Sequence, residues 1–64
     1  MYLVEFTKKM ENEEKKFCLG YYSRDEAISR AGNLLRTSGV LSVVVSFVDN
    51  YYVNKIYDFG NLHF

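Results

Sequence analysis

The chain has 64 residues, 48% of them hydrophobic and 17% aromatic, with eight Lys or Arg balanced by eight Asp or Glu. A chain below roughly 70–80 residues has room for one core and no second domain, because burial barely offsets chain entropy at that size, and the apolar content argues against a disordered segment. A formal charge of zero supplies no global field to draw the protein onto phosphate backbones or anionic lipid.

In chain order, the first periodic segment spans residues 2–8, where Tyr2, Val4 and Phe6 alternate with Leu3, Glu5 and Thr7. Period two with aromatic and β-branched residues predicts a strand that buries Val4 and Phe6. The charged residues 8–16 read as an exposed, mobile loop. Phe17, Leu19 and Tyr21 then alternate with Lys16, Cys18, Gly20 and Tyr22, a second strand that pairs antiparallel with the first.

Ser23-Arg24-Asp25-Glu26 matches a capping box, with Ser23 as N-cap and two carboxylates at the positive end of a helix. Ala27, Ile28, Ala31, Leu34 and Leu35 form one apolar stripe on a helix of about 14 residues. Gly39 is placed to close that helix as a left-handed C′ residue. Gly32, inside it, costs roughly 1 kcal/mol relative to Ala, which implies either close approach to a strand or a weak spot.

Residues 40–48 are the most strand-like segment: Leu41, Val43, Val45 and Phe47 form one face, and Val40, Ser42, Val44, Ser46 and Val48 the other. A strand apolar on both sides belongs in the interior of a sheet. Asp49-Asn50 suits a tight turn, residues 51–57 return as a fourth strand, and residues 59–64 read as a flexible tail with a turn at Gly60. The whole reads as a single small α+β domain over residues 1–64, of β-β-α-β-β order. One helix packs on one face of a four-stranded, mainly antiparallel sheet. The expected core is Val4, Phe6, Phe17, Leu19, Ala27, Ile28, Ala31, Leu34, Leu35, Leu41, Val43, Val45 and Phe47. The order of the strands is not encoded in any local pattern.

Little in the sequence points to catalysis, and no enzyme activity is expected. The one histidine, His63, stands near the end of the tail, where an oriented general base is hard to hold. One Cys and one His cannot supply an ordinary zinc ligand set, and Glu11, Glu13 and Glu14 lack the spacing of a calcium loop. The four glycines are scattered singly, so no phosphate cradle forms; no cofactor and no metal are expected. The lone Cys18 and the absence of a secretory pattern after Met1 point to the reducing cytoplasm, and no segment is long enough to span a membrane.

The tyrosine pairs Tyr21-Tyr22 and Tyr51-Tyr52 each put one ring on either sheet face. The face away from the helix is therefore the candidate interaction surface, with Tyr22, Val40, Val44, Val48 and Tyr52 (or its neighbour Tyr51) as its residues. Charge-poor aromatic and aliphatic composition suits a protein partner or a second copy of the chain. The alternative is a single-stranded nucleic-acid binder that stacks bases on these tyrosines and meets phosphates with Lys8, Lys9, Lys15, Lys16 and Arg24. Acidic residues inside the basic stretch weigh against it.

Overall fold

The computed structural model of the chain describes residues 1–50 and 52–59, so the readings made above for Tyr51, for residues 60–64 and for His63 lie outside the described residues. β1 (Tyr2–Met10) and β2 (Glu13–Tyr21) form an antiparallel hairpin, in register from Tyr2 opposite Tyr21 to Met10 opposite Glu13. The charged stretch expected as a loop is thus strand almost throughout, and Glu11 and Asn12 alone make the turn. Lys9 faces Glu14 across the ladder and the Lys15 ammonium lies 3.5 Å from the Glu13 carboxylate on the same strand, which offsets the like-charged pair of Lys8 opposite Lys15. Glu11 carries φ of 53°, the left-handed conformation that two-residue hairpin turns demand.

α1 (Arg24–Leu35) begins at Ser23, whose backbone is extended and whose hydroxyl oxygen accepts the Glu26 N–H at 3.4 Å. The helix is 12 residues long, shorter than its apolar stripe implied. Its last turn tightens, with the Arg36 N–H donating to the Asn33 carbonyl at 3.2 Å and the Thr37 N–H to Leu34 at 3.0 Å, in the i→i−3 pattern. Gly39 therefore does not cap the helix. At φ of 89° it makes the turn into β3 (Val40–Asp49), and its carbonyl accepts the Lys9 N–H at 2.8 Å. β4 (Tyr52–Asp58) returns beside β3.

The four strands form one sheet in the order β2-β1-β3-β4, every neighbouring pair antiparallel. Since β2 and β3 both run opposite to β1, they run parallel to each other, and the chain between them must cross over β1. The helix is that crossover and packs on one face of the sheet, the β-β-α-β-β, α+β architecture expected from the sequence. It lies over β3 and β1, then β2; none of its Cα atoms comes within 8 Å of one in the described part of β4.

Val4, Ala27, Val43 and Val45 are fully buried, with Ala31, Leu34 and Val40 nearly so, and Tyr2, Phe6, Leu19, Tyr21 and Leu35 pack around them. Two expected core members are displaced. Phe17 is 37% exposed on the outer strand β2, stacked on Phe6 with ring centroids 5.0 Å apart. Leu41 is the extra residue of a β-bulge: Thr7 opposes Ser42 while the next residue, Lys8, opposes Val40. The bulge reverses the alternation, so Val40 turns to the helix where Leu41 was expected.

Candidate functional site

Directly opposed residues in a ladder share a face, so the register assigns each strand residue to the helix side or to the open side. Val4 and Val45 fix the helix side, which also receives Tyr2, Tyr21 and Phe47. The open side takes Leu3, Glu5 and Thr7 from β1, Lys16, Cys18 and Gly20 from β2, and Ser42, Val44, Ser46 and Val48 from β3. A second bulge, at Ile56, separates Tyr57 opposite Val45 from Lys55 opposite Ser46, and puts Val53, Lys55 and Asp58 on the open side.

Of the five residues expected on the open face, Val44 and Val48 lie there, half-buried. Val40 does not; the bulge beside it sends it into the core, 6% exposed. Tyr52 opposes Asp49 and so has helix-side parity, although it projects past the helix and is 71% exposed. Tyr22 follows the end of β2 at the corner leading to the helix and is 88% exposed. Tyr57 also points to the helix side, where its hydroxyl accepts from the Arg24 guanidinium at 3.3 Å. Among the described strand residues, no aromatic ring has open-face parity.

What the open face carries instead is a group of aliphatic side chains interleaved with polar and charged ones. Met1 lies over Gly20, with its sulfur about 3.6 Å from where a Cβ on Gly20 would stand; Leu3 opposes Gly20, Val48 pairs with Val53, and Val44 stands between Glu5 and Asp58. Around Val44 and Val53 the face holds a groove of about 350 Å³, lined mostly by polar side chains that include Glu5, Lys16, Lys55 and Asp58. The Lys55 ammonium reaches the Asp58 carboxylate at 3.3 Å. Ser42 and Ser46 form part of its floor, and no buried side-chain polar atom of the described residues lacks a hydrogen-bond partner. Met1, Leu3, Val53 and these four charges had no signal in the sequence as a group, because only the strand order brings them together.

A second concavity lies on the other side of the sheet. Because the helix stops short of β4, an almost wholly apolar cleft of about 170 Å³ opens between them, lined by Ile28, Ala31, Gly32 and Leu35 from the helix, Val45 beneath, and Tyr57 and Phe59 opposite. Tyr57 and Phe59 stack at 6.2 Å between centroids and are each 40% exposed. Phe59, read from the sequence as the start of a flexible tail, is tied to the sheet by its N–H, which donates to the Val43 carbonyl at 3.0 Å.

Among the described residues, no cluster of three or more His, Cys, Asp or Glu is arranged to hold a metal ion, and no helix is long and apolar enough to cross a membrane. Comparison of the chain with protein-family models, with curated proteins and with solved structures gives no match.

Proposed function

We propose that this domain is a non-catalytic protein-interaction module that uses the open face of its sheet, and that the partner it fits best is a second copy of itself. The observation that carries this reading is the group of aliphatic side chains Met1, Leu3, Val44, Val48 and Val53 on a sheet face over which no described helix packs. Aliphatic centres ringed by polar groups are the composition of interface cores. The charges of the groove are two acids, Glu5 and Asp58, and two bases, Lys16 and Lys55, so the face is electrically neutral and a second copy meets no net repulsion. The lone, exposed Cys18 on this face suits a reducing setting such as the cytoplasm.

The nucleic-acid alternative is weakened by the helix-side parity of Tyr2, Tyr21, Tyr52 and Tyr57, which leaves the described strands without a stacking platform on the open side. The hairpin lysines are also interleaved with Glu13 and Glu14. Sedimentation equilibrium over a concentration series tests the proposal: a reversible dimer is expected, and Val44→Asp should shift it to monomer by burying an unpaired charge in the interface. A species monomeric at every concentration, or a dimer indifferent to Val44→Asp, removes the reading. Micromolar binding of labelled single-stranded RNA or DNA with a steep salt dependence would put the alternative in its place.

A further inference from the structure

We infer that β2, at the edge of the sheet, pairs antiparallel with β2 of a second copy, with Phe17 on the two-fold axis and the two sheets joined into one. β2 ends the strand order, and among the described residues no strand and no backbone hydrogen bond occupies its outer side. It is nine residues long, runs against β1 without a bulge and contains no proline, so it lacks two of the interruptions that commonly blunt an edge.

The backbone phase of the hairpin fixes which groups this edge presents. The Lys9 N–H donates to the Gly39 carbonyl, away from β2, and Lys9 opposes Glu14, so these two form a non-hydrogen-bonded pair. In antiparallel pairing the amide and carbonyl of such a residue point away from the partner strand, and the pattern recurs at every second residue. Glu14, Lys16, Cys18 and Gly20 therefore direct their backbone N–H and C=O groups outward from β2.

Charge then selects the partner and the register. Rotation about the sheet normal keeps every residue on its own face, and opposed residues share a face, so the axis must pass through a residue position. Centring on Phe17 pairs the whole strand, with Glu13 opposite Tyr21, Lys15 opposite Leu19 and Lys16 opposite Cys18, and sets no like charges against each other. Centring on Glu14, Lys15 or Lys16 puts that charge opposite its own copy, and centring on Cys18 shortens the ladder. Phe17, exposed and stacked on Phe6, meets its counterpart on the axis and extends the aromatic row across the seam. The rotation leaves both open faces on one side of the joined sheet, so this contact is compatible with the proposed open-face dimer and independent of it. Few side chains take part, which places edge pairing on the order of millimolar concentration.

Isotope-filtered nuclear Overhauser spectra of mixed labelled and unlabelled chains, which report only contacts between molecules, decide it at about 1 mM protein. The expected result is a contact between the Hα protons of Lys15 and Leu19, which lie roughly 13 Å apart within one strand. It should appear in the parent chain and in Val44→Asp alike, so that failure of the open-face reading and failure of this one are told apart. Cys18→Lys should abolish it, because the new lysine meets Lys16 of the second copy while facing Glu5 in its own chain. Adding Lys16→Glu to that variant should restore it. Absence of the contact in the parent chain, or its survival undiminished in Cys18→Lys, overturns the proposal.

Discussion

Gly32 sits on the helix face that looks into the apolar cleft, and its replacement by Ala adds a methyl group with no heavy atom of the described residues within 4 Å while removing the backbone-entropy cost of glycine in a helix. Gly32→Ala should stabilise the protein by about 1 kcal/mol, read as a rise of about 4–8 °C in a thermal melt followed by circular dichroism. The sequence offered two explanations for this glycine, close approach to a strand or a weak spot, and no described strand comes within 4 Å of a Cβ at this position, which favours the second. Ser23 was legible from local pattern alone, because a cap bonds only to the next turn of its own helix. Val40 was not legible, since its direction depends on how β3 slips against a strand more than thirty residues earlier in the chain, and no residue type at position 41 announces a bulge.

Among the elements, the β1–β2 hairpin departs furthest from the expectation drawn from charge. A run of nine mostly charged residues reads as a loop when each side chain is judged alone; it forms a ladder in which the β2 side chains face water and Lys9 opposes Glu14, although Lys8 opposes Lys15. The turn is its weakest point, because Glu11 is held at φ of 53°, where a Cβ is disfavoured by about 1–2 kcal/mol. Glu11→Asn, which tolerates that conformation better, should stabilise the hairpin by about 0.5–1 kcal/mol, visible as an increased urea midpoint with unchanged slope. The open face follows the same logic of reach. Val44 and Val48 could be picked from the period of one strand, whereas Leu3 and Val53 join them only through the β1–β3 and β3–β4 pairings, and Tyr52 takes helix-side parity from its pairing with Asp49.

Among the described residues, seven small or medium aliphatic side chains make the buried core, and no aromatic side chain is fully enclosed. Such a core leaves a narrow margin over chain entropy. If a second copy covers the open face, association contributes to folding stability, so the melting temperature should climb with protein concentration, and Val44→Asp should flatten that dependence. Differential scanning calorimetry across a hundredfold concentration range measures both. The bulge at Leu41 bears on the history of the chain as well as on its geometry. Excising that one residue would leave Ser42 opposite Thr7 and Val40 opposite Lys8 with regular alternation restored and every buried side chain still turned inward. Descendants one residue shorter at this point can therefore keep the same interior, and the chain has a place where its length can drift without a change of fold.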